Sequence, residues 1–167
     1  MAKLRLLHIA DVHLGAPFRN FGPRSAQRQS ELLDSLRGIV EYGIQEENNI
    51  HAVIVAGDLF HSYNPKPSLV GEVKGLFRKL CDAGKQIVLI PGTHDGYGYK
   101  ESVYKAYDFS PEAFVFTACN PEEPLHLFIN GQDVFFYGFA YDPINSNDPM
   151  NKVKKIDERG IHIGIFH

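Results

Sequence analysis

Apolar residues follow two rhythms along this chain. Short continuous runs at 4–10, 52–56, 87–90 and 161–166 are bounded by Gly, Pro or polar residues, and such runs predict buried strands. Between them the spacing turns helical. Leu32, Leu33, Leu36, Ile39, Val40 and Ile44 recur every three or four residues, predicting an amphipathic helix over 26–47 with Ser25 as its N-cap. Asn48-Asn49 break it. Pro65 and Pro67 then mark a rigid loop into a second helix over 68–83. Its apolar face is Leu69, Val70, Val73, Leu76, Phe77 and Leu80, and Gly84 is a natural stop. Two successive strand–helix–strand units imply parallel strands joined by right-handed crossovers.

The second half has a different texture. Residues 100–107 predict a short helix and 114–117 a short strand. Segments 125–129 and 134–139 flank Asn130-Gly131, a strong hairpin signal. Asp148-Pro149 caps a short helix ending near Gly160, and 161–166 is the final strand. The expected fold is one α/β domain over 1–167, parallel in its first half and mixed in its second. That makes a sandwich of two sheets, or one long mixed sheet, flanked by helices.

Composition changes this picture little. Apolar residues at 44% and charged residues at 22% match an ordinary globular domain and argue against disorder. Cys81 and Cys119 give neither a disulfide framework nor a paired-thiolate zinc motif. The N-terminal apolar run is broken by His8 and stopped by Asp11, so it reads as a strand and not as a signal peptide. No stretch approaches the ~20 apolar residues of a membrane span. A soluble, cytoplasmic protein with no membrane association is expected. Net charge is −3, unlike a protein held on nucleic acid by bulk electrostatics, although active-site metals would supply positive charge locally. Locally, no acidic residue lies between Asp11 and Glu31, while Arg19, Arg24 and Arg28 do. Such a loop is either a solvated surface or a phosphate-holding, substrate-binding element.

The chemistry concentrates at strand ends. Asp11 and His13 follow the first strand, Gly57-Asp58 and His61 the second, Thr93, His94 and Asp95 the third, and His167 the last. Carboxylates and imidazoles converging on one sheet edge suit hard or borderline divalent metals. Asp11 and His13, two apart, can share an ion. Asp58, just past a glycine, can bridge two. A lone Asp-x-His or Gly-Asp is weak, and a strand-end Asp is usually a turn former. Three in order, each after an apolar strand, are hard to obtain by accident. His8, His51, His126 and His162 lie in or beside strands and read as structural or surface residues.

The strings His-Ile-Ala-Asp-Val-His-Leu-Gly at 8–15, Gly-Asp-Leu-Phe-His at 57–61 and Ile-Pro-Gly-Thr-His-Asp at 90–95 resemble the calcineurin-like metallophosphoesterases, and within them the SbcD-type DNA-repair exonucleases. The resemblance covers nearly the whole chain. It implies a metallophosphoesterase-type mixed β-sandwich in which Asp11 and His13 bind a first metal, Asp58 is shared and His167 binds a second. His94 would contact the scissile phosphate and assist the leaving group, Asp95 would orient His94, and His61 would be an extra active-site histidine. The implied reaction is hydrolysis of DNA phosphodiesters with two divalent ions, manganese foremost, with magnesium, iron or zinc as other fits. The implied partners are DNA, an SMC-like ATPase of the SbcC type and a second copy of the nuclease.

Two departures matter. Thr93 stands where the family has an Asn ligand to the second metal; its hydroxyl would take that place as a shorter and poorer ligand, so a weakened second metal site, or one completed by water, is expected. The family's later Gly-His-x-His motif is not in the chain, which predicts a domain incomplete at its C-terminus, with partial metal binding and low or absent activity. Two other readings compete: a metallophosphoesterase acting on a small cyclic or dinucleoside phosphodiester, and a relative in which Thr93 marks lost catalysis.

Overall fold

The computed structural model describes residues 3–119, 123–142 and 154–167. Four strands form the first sheet: β1 (Leu6–Ile9), β2 (Ala52–Ala56), β3 (Gln86–Ile90) and β4 (Phe114–Val115). They lie side by side in chain order and all run parallel. Helix α1 (Ser25–Ile44) connects β1 to β2, and α2 (Pro67–Asp82) connects β2 to β3. A short helix α3 (Val103–Ala106) precedes β4. The second sheet holds β5 (Leu125–Ile129), β6 (Gln132–Gly138) and β7 (Ile161–Ile165). In it β5 and β6 are antiparallel, whereas β7 runs parallel to β6.

Side-chain alternation sorts the strands into layers. On β2, Val53 and Val55 pack with Leu36, Val40, Val73 and Phe77 of the helices. Its neighbours Ala52, Ile54 and Ala56 face Val134, Phe136 and Ile165 of the second sheet. All five β2 residues are therefore buried, as the unbroken apolar run requires of a central parallel strand. The result is a two-sheet sandwich with α1 and α2 together against one outer face. Among the described residues, the opposite outer face carries an aromatic cluster of Phe135, Tyr137 and Phe139 instead of a helix.

Several local expectations shift. Ser25 is not an N-cap. A 3₁₀ turn over Arg19–Arg24 feeds directly into α1, so Ser25 is already helical, and its hydroxyl faces back to the carbonyls of Phe18 (2.9 Å) and Gly22 (2.7 Å). Helix α1 also ends three residues early, because Gln45 is extended and a 3₁₀ turn over Glu46–Asn48 closes at left-handed Asn49. Gly84 stops α2 as expected: at φ +73° it lets the Lys85 N–H return to the Leu80 carbonyl at 2.9 Å. Asn130 and Gly131, both at positive φ, make the two-residue hairpin turn. The Asp148-Pro149 cap lies outside the described residues. The remainder of that predicted helix, 154–160, is irregular, because side chains of the sheet satisfy its backbone: Ile156 N–H donates to the Tyr137 hydroxyl and the Glu158 carbonyl faces His162 Nε2.

Arg78 of α2 binds Glu112, just before β4, through Nε (2.9 Å) and Nη2. That hydrogen-bonded guanidinium lowers the Glu112 pKa from its ordinary 4.5. A lowered folded-state value stabilises above the unfolded value and is lost as pH falls through the folded one. Urea titrations should therefore show Arg78→Ala less stable than the parent at pH 7, with the gap closing below pH 4.5. A gap independent of pH would contradict the ion pair. Phe136, fully buried between the sheets, should cost about 3–5 kcal/mol when changed to Ala in the same assay.

Candidate metal centre

The loops leaving β1 and β2 form a ladder of their own. Asp11 N–H donates to the Gly57 carbonyl (3.2 Å), His13 N–H to Asp58 (2.9 Å) and Leu14 N–H to Leu59 (2.9 Å), while His61 N–H returns to Leu14 (2.9 Å). This ladder holds a strained path. Asp11, His13 and Asp58 all have left-handed backbones, at φ 54°, 50° and 52°. Such residues cost of order 1 kcal/mol each, persist only where surroundings over-determine them, and cluster at functional sites. Here the strain turns three side chains towards one point.

Asp58 is at that point. It is 2% exposed. Its Oδ1 accepts the His94 backbone N–H at 2.8 Å, and its Oδ2 accepts the Thr93 hydroxyl at 3.1 Å. The loop after β3 can come this close because residue 92 is glycine: a Cβ there would lie 2.2 Å from Asp58 Oδ1. Likewise, a Cβ on Gly57 would lie 2.5 Å from the His167 ring. His167 Nδ1 donates to the Ala56 carbonyl (2.9 Å), which leaves its Nε2 facing Asp58 Oδ2 at 3.4 Å. His13 Nε2 stands 3.7 Å from Asp11 Oδ1 and 3.7 Å from Asp58 Oδ2.

Two ligand-like groups result. Donor atoms of Asp11, Asp58 and His167 lie within 4.8 Å of one another, as do those of His13, His61 and His94. The first group suits a divalent cation. Among the described residues, the side chains at ion-pair distance from Asp58 are imidazoles alone, with no Lys or Arg balancing the buried carboxylate. His13 also has a ring nitrogen, Nδ1, buried without a partner. Oxygen and imidazole donors match the preferences of first-row divalent ions. In the second group His61 and His94 stack at 4.9 Å between centroids, and His13 meets His94 edge-on at 4.7 Å. Desolvation, then the neighbouring His94 and His13, lowers the His61 pKa, partly opposed by Asp58.

Asp95 is elsewhere than expected. It does not orient the His94 ring: His94 Nδ1 faces the His61 carbonyl at 3.2 Å. Asp95 is wholly buried and clamps the loops together. Its Oδ1 accepts Gly92 N–H (2.7 Å), and its Oδ2 accepts Phe60 N–H (3.1 Å) and the Tyr104 hydroxyl (2.7 Å). Burial raises its pKa against the pull of these donors. Sequence reasoning missed Tyr104. Its only signal is a tyrosine in a short helix nine residues after Asp95, which spacing alone does not single out. Thr93, expected to offer its hydroxyl to a second metal, spends it on Asp58. The arginines sit apart. Arg19 lies on the 3₁₀ turn, Arg24 and Arg28 line a surface groove with Phe21 and Gln27, and Arg28 is paired with Glu31 at 2.6 Å. Among the described contacts none joins them to the imidazoles. No helix among the described residues is long and apolar enough to cross a membrane.

Residues 4–163 match the model of the calcineurin-like phosphoesterase family. The uncharacterized metallophosphoesterase YhaO of Bacillus subtilis is 23% identical over all of this chain and 41% of that protein. The SbcD component of the nuclease SbcCD, from the same organism, is 37% identical over 55% of this chain and 22% of its own length. The DNA double-strand break repair protein Mre11 of Methanopyrus kandleri is 25% identical over 98% of this chain and 37% of that protein. The chain thus spans less than half the length of these relatives. It belongs to the calcineurin-like phosphoesterase family, whose members bind divalent metals, and it carries candidate ligand groups for them.

The clamp has a measurable consequence. Asp95→Asn replaces one acceptor with an NH₂ facing protein donors, so it should destabilise by about 2–3 kcal/mol in urea unfolding. A neutral outcome would mean that the three donors do not depend on the carboxylate.

Proposed function

We propose that this chain is a two-metal phosphodiesterase acting on DNA, from the nuclease part of a break-processing protein. The observation that carries the reading is Asp58, a buried carboxylate without Lys or Arg balance among the described residues, which belongs to one group of ligand atoms and stands 3.7 Å from His13 of the other. In place of the expected pairing of Asp11 with His13 and of His167 with a second ion, Asp11, Asp58 and His167, which stand together, would hold one ion, and His13, beside both acids, would contribute to the adjoining position. When bound, two divalent ions, manganese foremost, supply Lewis-acid polarisation of the phosphoryl group.

The chain's own residues then position and protonate. The His61 carbonyl faces His94 Nδ1 and holds the ring, so its Nε2 is turned to other partners. His94 is exposed and can reach a bound phosphodiester. As imidazolium it carries the proton that the departing sugar oxygen needs. His61, stacked on it and biased towards neutrality, can contact the phosphate without adding a second positive ring. Thr93 contributes by fixing Asp58. Arg24 and Arg28, on their separate groove, would track DNA backbone away from the scissile bond.

The substrate reading draws support from relatives named as a DNA double-strand break repair protein and as a component of the nuclease SbcCD. The latter name is of one subunit of a nuclease, in keeping with a partner protein here; that the partner is an SMC-like ATPase and that this domain forms a dimer come from the family resemblance alone. A small-phosphodiester enzyme is the second reading, kept because the relative matched along all of this chain, YhaO, carries no DNA substrate in its name.

Calorimetry with manganese, followed by incubation with duplex DNA and with bis(p-nitrophenyl) phosphate, tests the proposal. Chelator-sensitive cleavage of DNA is expected. His94→Ala should reduce it about 100-fold or more while leaving manganese affinity in place. Cleavage of the small diester alone would select the second reading. Manganese binding without hydrolysis of either would mark a disabled relative. Thr93→Asn should tighten manganese binding, since an amide oxygen is a better ligand than a neutral hydroxyl already bonded to Asp58.

A further inference from the structure

A second pair of stacked rings joins the loops that carry the stacked histidines. Tyr63 and Tyr99 lie 4.5 Å apart between centroids, with 21° between their planes. Tyr63 is two residues past His61, and Tyr99 is five past His94. Both backbones are tied down. The Tyr63 carbonyl accepts the Val103 N–H at 2.7 Å, and the Tyr99 carbonyl accepts from Lys105 Nζ at 3.0 Å. Residue 96, two past His94, is a glycine whose added Cβ would lie 3.3 Å from the Tyr99 ring and 3.5 Å from that of Tyr141. Tyr99 is therefore backed by the loop that carries His94. Tyr63 is the outer ring of the stack, with one face on Tyr99 and the residue 38% exposed.

The loop's shape does not account for a ring at this position. Pro65 and Pro67 stiffen it, and the Val103 bond that ties it to α3 comes from the backbone. The charges nearby favour a polyanion over an apolar peptide as the occupant. Segments 62–71 and 96–107 carry Lys66, Lys100 and Lys105 against one acid, Glu101. A supported aromatic ring beside lysines is the combination that holds single-stranded nucleic acid, and it tolerates any sequence because every base has a π face.

We propose that Tyr63 is a stacking platform for an unpaired base of the strand whose phosphate reaches His94. The inference rests on the DNA reading and narrows it. A base inside a duplex has both faces covered by its neighbours, so the ring can take one only where the strand is single or frayed. A base held on Tyr63 fixes its strand beside His61 and His94, the two rings placed to meet the phosphate.

The chain has no Trp, so Tyr63→Trp puts a single indole reporter on the platform. His94→Ala is included in every arm to keep the strands intact in manganese. Two octamers are compared, oligothymidylate and a strand of the same length with an abasic sugar at each position. Indole emission follows stacking, and the anisotropy of end-labelled strands follows binding. Thymidylate should quench the indole saturably. The abasic strand should bind about fivefold weaker or worse and leave the emission unchanged. With thymidylate, Tyr63→Leu should lose a similar factor and Tyr63→Phe should keep the affinity of tyrosine, while the abasic strand should not distinguish them. Equal affinity for the two octamers, or binding without quenching, would overturn the platform and leave the DNA reading standing. Binding of duplex DNA but of neither octamer would do the same. No binding of any DNA would overturn the DNA reading and the platform with it.

Discussion

A carboxylate buried without a Lys or Arg partner among the described residues is the constraint around which this molecule is arranged. Asp58 is placed at the end of a wholly buried strand, where an uncompensated charge would be costly. The surroundings answer with a hydroxyl from Thr93, a backbone N–H from His94 and the imidazoles of His13 and His167. Gly57 and Gly92 are needed because anything larger would occupy the volume that these partners use. The left-handed backbones of Asp11, His13 and Asp58 accompany this arrangement, held by the hydrogen-bond ladder between the loops after β1 and β2.

Offering a ligand and holding the loops together fall to different acids. Asp58 belongs to a candidate ligand group. Asp95 is sealed beneath it, and its two oxygens gather donors from the loop after β2, the loop after β3 and helix α3. A carboxylate suits that task because both oxygens accept and neither competes as a donor. The ring of His94 is steered by a carbonyl instead, that of His61. This division places the buried Tyr104 hydroxyl beneath the loops that carry His61 and His94.

The strands and helices of the first half were legible because their burial is periodic. Unbroken apolar runs sit where both faces of a strand are covered, and the three- and four-residue spacing of α1 and α2 marks one covered face. Asn130-Gly131 announced the hairpin because that turn needs two consecutive positive φ values. The second sheet was readable only as strands. Whether β7 extended the first sheet or built another depended on where β6 lay, and no local pattern records that. Ser25 misled for a related reason: an N-cap residue is a helix start only if the preceding backbone is not already turning.

By itself, the sequence determined that acids and imidazoles stand at the C-terminal ends of parallel strands, because strand direction and residue order leave no other edge for them. It also determined the family resemblance carried by those motifs. Only the tertiary structure decided what each side chain touches. It set Asp95 beneath the loops and not beside His94, gave the Thr93 hydroxyl to Asp58, gathered His13 with His61 and His94, and kept the arginine groove apart. The reason is physical. Spacing along a chain fixes backbone geometry over a few residues, whereas the partner of a buried polar atom is set by which distant loop packs within about 3 Å of it.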